Sequence, residues 1–190
     1  MSFRRSFLIL QKDLAWAKQN SKLLALMVMP VFLMLFLARI DQGGALGFSL
    51  SFINAFVGIF STSYLITEEK HKGTLVSLLT TPLKSSELLL GKFLFNLILC
   101  LTFTLLSLMI NNRFDLLVRP FALLNCFFFA GTTCFFGYTM GVFFKNEKEM
   151  SVVAPFLLIF FAMGDAMENL SDQVPIGGFF PSYHMVQSLK

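Results

Sequence analysis

Five stretches of this chain carry no charged residue: Leu23–Ala38, Gln42–Thr67, Phe93–Asn112, Pro120–Phe144 and Met150–Gly164. A helix needs roughly 20 apolar residues to cross a hydrocarbon core of about 30 Å. Three of the five meet that length. Leu23–Ala38 must borrow flanking residues, and Met150–Gly164 is short. Soluble domains average about 45–50% apolar residues and about 25% charged ones. Here the chain has 56% hydrophobic and 14% charged residues over 190 positions. The pattern predicts an all-α polytopic membrane protein with five transmembrane helices, at about 22–40, 45–66, 90–111, 120–143 and 150–167.

The charges between those spans set the expected orientation. Arg4, Arg5, Lys12, Lys18 and Lys22 precede the first span, and Lys70, Lys72, Lys84 and Lys92 fall between the second and third. Lys145 and Lys148 lie between the fourth and fifth. The alternate segments hold only Arg39, Arg113, Arg119 and Lys190. The positive-inside rule therefore predicts a cytoplasmic N-terminus and cytoplasmic 67–92 and 145–149 loops, in a plasma (inner) membrane. This asymmetry explains the net charge of +4 without nucleic acid as a partner. Cys100, Cys126 and Cys134 all fall inside spans, as free thiols packed among helices. No zinc-site spacing accompanies them.

Residues 1–22 form a separate unit. Phe3, Phe7, Leu10, Leu14 and Ala17 recur on one helical face, with Arg and Lys around them. That pattern predicts an amphipathic helix along the inner leaflet in contact with lipid, with Trp16 as an interfacial anchor. The apolar FLIL is too short for the core of a signal peptide, and charges continue to Lys22.

The permease-like remainder, 23–190, has its own landmarks. Thr133, Gly137 and Gly141 make a small-residue ridge in the fourth span, where GYTMG supplies a GxxxG; such ridges let helices approach closely in lipid. Asn54, Asn96 and Asn125 are intramembrane amides suited to bonding between helices; a substrate path is the other reading for these amides and for Gly137 and Gly141. Pro155 interrupts the short fifth span. The following 168–190 carries Pro175, Gly177, Gly178 and Pro181, which suits a re-entrant segment on the outer side.

The loop at 67–89 carries the densest pattern, ITEEKHKGTLVSLLTTPLKSSELLLGK from Ile66 to Lys92. Gly73 and Thr74 open a run in which Leu75, Leu78 and Leu79 share a face, and Pro82 ends it. Ser85 or Ser86 can cap a new helix, with Glu87 in its first turn. An apolar knob between charged flanks suits a docking element. Leucines lying on the lipid surface of a solvated loop give the same pattern, and the residues alone leave both readings open.

E-E-x-x-x-G-T-L followed by L-L-x-T-P-L-x-x-x-E-L-L-L-G-K, between the second and third spans, resembles the permeases of type-2 ATP-binding-cassette transporters. The amphipathic arm, the five spans and the re-entrant segment are similar to that family too, and the final FFPSYHMVQSLK resembles the family's outer segment before its last span. The resemblance implies a separate ATPase subunit that uses ATP and Mg, a second permease subunit, and export. It also implies that Glu68, Glu69, Gly73, Thr74, Leu78, Thr81, Pro82 and Lys92 form or brace a coupling helix. Lys70, Lys72 or Lys92 would compensate the two glutamates. Members ordinarily have six spans, so a sixth is expected beyond the five read here.

No G-x-x-x-x-G-K-[ST] occurs, so the chain does not supply its own P-loop and binds no cofactor of its own on this reading. An intramembrane metalloprotease built on Glu68, Glu69 and His71 lacks ligands, because only two histidines exist and topology separates them. A membrane scaffold or immunity protein that moves nothing is the remaining alternative.

Overall fold

The computed structural model describes residues 3–40, 45–74, 85–113, 119–163 and 180–188. Among them every regular element is helical. Helix α1 is Phe3–Gln19 and α2 is Ser21–Ile40. A single helical run then passes from α3 (Ala45–Ala55) through a π turn (Phe56–Ser61) into α4 (Thr62–His71). Helices α5 (Ser85–Ile110), α6 (Pro120–Phe143) and α7 (Glu147–Ala162) follow, with the short α8 at Pro181–Gln187.

Local chemistry explains the helix ends. Pro120 starts α6, where its missing N–H costs nothing. Glu87 lies in the first turn of α5, and Glu147 and Glu149 in that of α7, where carboxylates favour the positive end of the dipole. Gly73 ends α4 with φ +69°, a left-handed conformation that glycine adopts without penalty. Pro155 sits inside α7 without ending it. Its 16 residues reach about 24 Å, so this helix is short by length rather than by a break.

Three helical segments are long and apolar enough to cross a membrane among the described residues: Gly47–His71, Ser86–Ile110 and Pro120–Phe143. The first is the hub, with 89% of its apolar window buried against 39% for each of the others. Glycine puts it there. A Cβ on Gly137 would lie 2.8 Å from the Ile59 carbonyl oxygen, and one on Gly141 would lie 2.8 Å from Ile66 Cβ. A Cβ on Gly58 would sit 2.7 Å from Thr133 Cβ. The small ridge of α6 thus meets the π turn and α4 backbone to backbone, within one chain.

Polarity is inverted relative to a soluble domain. Ser51, Asn54, Ser61, Thr67, Asn96, Thr104 and Thr133 are buried, while Phe32, Phe121, Phe143 and Phe156 are exposed. An apolar exterior of this extent is a liability in water and the expected surface in lipid. Asn54 Nδ2 donates to Thr104 Oγ1 at 2.9 Å, and Ser61 Oγ donates to Asn96 Oδ1 at 2.9 Å; both bonds join the hub to α5. Half-buried Asn125 makes no comparable bond among the described residues. The sulfurs of Cys100 and Cys134 face each other 3.8 Å apart as free thiols.

Helix α8 packs against α3, α6 and α7, and Phe180 at its start lies 5.3 Å from Phe160 near the end of α7. The rest of the expected re-entrant segment lies outside the described residues.

Candidate functional site

The far end of the hub from α8 holds a cluster of charges, built where α1, α4 and α5 converge. Glu68 and Glu69 close α4, and adjacent helical positions point about 100° apart, so each addresses a different neighbour. Glu68 takes Lys72 at 2.6 Å and accepts a bond from Asn20 Nδ2 at 3.0 Å. Glu69 takes Lys12 through one oxygen at 3.0 Å and Lys92 through the other at 2.9 Å. Lys92 also lies 3.6 Å from Asp13. Three carboxylates thus meet three ammonium groups, contributed by α1, α5 and the α4 end.

The cluster has a rim and a depth. The side chains of Lys12 and Lys72 are 45% and 53% exposed, and Lys72 lies 5.6 Å from the centre of the Trp16 ring, a cation–π contact. Lys92 and Asp13 are each 2% exposed. Burial holds the Asp13 carboxyl above its ordinary value of 3.8, while the neighbouring Lys92 ammonium opposes that rise. Removing either partner from such a pair strands a buried charge.

Helix α1 is packed into the bundle. Its inner face, Ile9, Leu10, Asp13 and Ala17, is buried, and the helix runs along α5. Of the stripe predicted to touch lipid, Leu10 and Ala17 turn inward, while Phe7 and Leu14 remain exposed beside Leu8. Trp16 is half-buried under Lys72.

The basic residues of the loop divide their work. Lys72 and Lys92 compensate the two glutamates. Lys70 does not, contrary to expectation: its Nζ donates to the carbonyls of Val142 and Phe144 (3.2 Å for Phe144), at the C-terminal end of α6. That placement satisfies helix-end carbonyls and the negative end of the dipole. Thr74 Oγ1 donates to the Glu69 carbonyl at 3.3 Å. Leu75, Leu78, Leu79, Thr81 and Pro82 lie outside the described residues.

Lys12, Asp13 and Asn20 were missed by reasoning on the loop alone. A signal for Asp13 was present: it is the sole acid before residue 41, set between Leu10 and Ala17 on the apolar face of a basic helix. A second concave feature, an apolar groove of about 380 Å³ between α5 and α6, is lined by Phe93, Leu97, Phe127, Gly131, Phe135 and neighbours. It opens among the exposed phenylalanines of α6.

A family model described as "ABC-2 family transporter protein" matches residues 40–190, which take in the hub, the loop, α5 to α7 and α8. No curated protein and no solved structure matches the chain. An all-helical membrane bundle with a matched segment of that extent settles the family: the chain belongs to the ABC-2 family of transporter membrane proteins.

Proposed function

We propose that this chain is the permease subunit of an ATP-binding-cassette exporter, driven through its 67–89 loop by a separate ATPase subunit. A second permease, as a homodimer or heterodimer, completes the assembly. ATP and Mg are used by the ATPase. The N-terminus faces the cytoplasm of a plasma (inner) membrane, as the lysine and arginine distribution implies. Export rests on the family resemblance.

One observation carries the reading. The helices that enter and leave the loop are tied to each other, because Glu69 near the end of α4 pairs with Lys92 of α5. A loop held at both ends by a buried ion pair transmits a push; one joined only to fraying helix ends absorbs it. The Lys70 bonds to the end of α6 extend that grip to a third helix. An ATPase shifts such a bundle only if its ATP-bound form interacts differently with the two states of the permease.

The test uses inverted vesicles from the native membrane, with and without the chain. ATP-dependent accumulation of small molecules, read by mass spectrometry and present only with the chain, is the expected result. Equal contents under both conditions would favour a scaffold that moves nothing.

A further inference from the structure

We propose that Cys100 and Cys134 form a binding site for a soft monovalent metal ion, copper(I) with silver(I) as its chemical analogue, which ties α5 to α6 inside the bundle. The two thiols come from different helices, so no Cys spacing in the sequence announces the site.

Both side chains are fully buried, and their sulfurs lie 3.8 Å apart. Rigid neighbours hold them there. Asn96, Cys100 and Thr104 recur every four residues along α5 and so share one helical face. Asn96 and Thr104 bond the hub at Ser61 and Asn54. Cys100, between them, meets Cys134 of α6 and lies 4.0 Å from the Asn54 carbonyl oxygen. Helix α6 is itself seated on the hub through Gly137 and Gly141. Donors carried by two helices that are each locked to a third are preorganised.

The donor set selects the ion. Thiolate and thioether sulfur favour copper(I), whereas calcium and magnesium take oxygen ligands. A metal about 2.3 Å from each sulfur would subtend an S–metal–S angle of about 110° across the 3.8 Å gap. That bend leaves one side open for a third donor. Met34 is buried in the same cluster as both thiols, and its unbranched thioether side chain can turn toward them. A structural zinc site needs four ligands, and among the described residues no three His, Cys, Asp or Glu side chains are grouped for a metal. Charge points the same way. When a monovalent ion binds, one S–H bond breaks, one sulfur–metal bond forms and the proton leaves to water, with no electron transferred. The net charge of the site is unchanged, which suits an apolar interior. Phe93 and Leu97 pack with this cluster and also wall the α5–α6 groove, so the site lies behind that opening.

The test titrates the full chain, reduced and in nanodiscs, with copper(I) under ascorbate against a chromogenic copper(I) chelator. Wild type and Cys126→Ser should each hold one copper. Cys100→Ser and Cys134→Ser should each weaken binding by more than the roughly hundredfold that loss of an outer-sphere partner costs. Met34→Leu should weaken it by about tenfold. X-ray absorption of the copper-loaded Cys126→Ser chain covers the case in which the other serine variants do not fold, because Cys100 and Cys134 are then the only thiols left. It should show two or three sulfur neighbours at about 2.3 Å. No copper on Cys126→Ser, undiminished binding by Cys100→Ser and Cys134→Ser, or a copper surrounded by nitrogen and oxygen alone overturns the site. A Cys100–Cys134 disulfide in protein taken from the native membrane overturns it as well.

Discussion

Lys92 Nζ lies 2.9 Å from Glu69 Oε2, and this contact joins α4 to α5. Both partners come from the charged motif at 68–92, yet the pair is completed by Asp13, far upstream on α1. The consequences can be measured one residue at a time.

Glu69 and Glu68 should differ sharply in cost. Glu69→Gln removes the strong counter-charge of buried Lys92 and should destabilise the protein by about 3 kcal/mol. Glu68→Gln loses a pair to half-exposed Lys72 and should cost about 1 kcal/mol or less. Thermal unfolding in nanodiscs checks the order; equal losses would place the deep and rim pairs in the same environment.

Asp13 should leave an acid signature. Its carboxyl is held above 3.8 by burial, so the folded state binds a proton more readily than the unfolded chain. Stability from this group is then fully present below 3.8 and lost as pH rises through the raised folded value. Asp13→Asn, which cannot titrate, should flatten the wild-type dependence of stability in that acidic window. Parallel pH profiles for the two proteins would contradict the assignment.

Gly137 and Gly131 sit on the same helix with opposite expectations. A Cβ at Gly137 meets the Ile59 carbonyl oxygen at 2.8 Å, whereas one at Gly131 has only Phe93 Cζ at 4.0 Å. Gly137→Ala should cost about 2 kcal/mol by forcing the helices apart. Gly131→Ala should be neutral or stabilising, since alanine favours the helix by about 1 kcal/mol. Folded yield on size-exclusion chromatography and unfolding temperature both report the contrast.

Gly73 is constrained by backbone angle alone, because φ is +69° and a Cβ there would meet nothing within 4 Å. Gly73→Asn should retain most of the stability, and Gly73→Val should lose about 2 kcal/mol. Thermal unfolding of the two variants compares them, and equal tolerance of both would mean that α4 does not end in the left-handed conformation.

Much of the fold is written in local patterns. The uncharged stretches, the small ridge of Thr133, Gly137 and Gly141, and the proline and glutamates at helix starts act over one helix or one turn, and each is legible by eye. The site is less so. Which lysine serves which glutamate depends on how three helices meet. Lys70 lies two residues before Lys72, yet it reaches α6 instead of the glutamates. The π turn at Phe56–Ser61 has no sequence mark of its own, and within it Gly58 approaches Thr133 of α6 so closely that a Cβ would lie 2.7 Å from Thr133 Cβ. Asp13 could have been singled out as an acid on an apolar face, but its partner Lys92 is a tertiary fact.

The most direct test of the account is recovery of the tagged chain from its native membrane in mild detergent, with mass spectrometry of its companions, for wild type and Leu78→Asp. The account predicts an ATPase carrying a Walker motif with the wild type, and its loss when the loop's apolar face is charged while the chain itself still inserts. An ATPase recovered equally with both, or with neither after gentle cross-linking, would contradict the claim that this loop is where a motor takes hold.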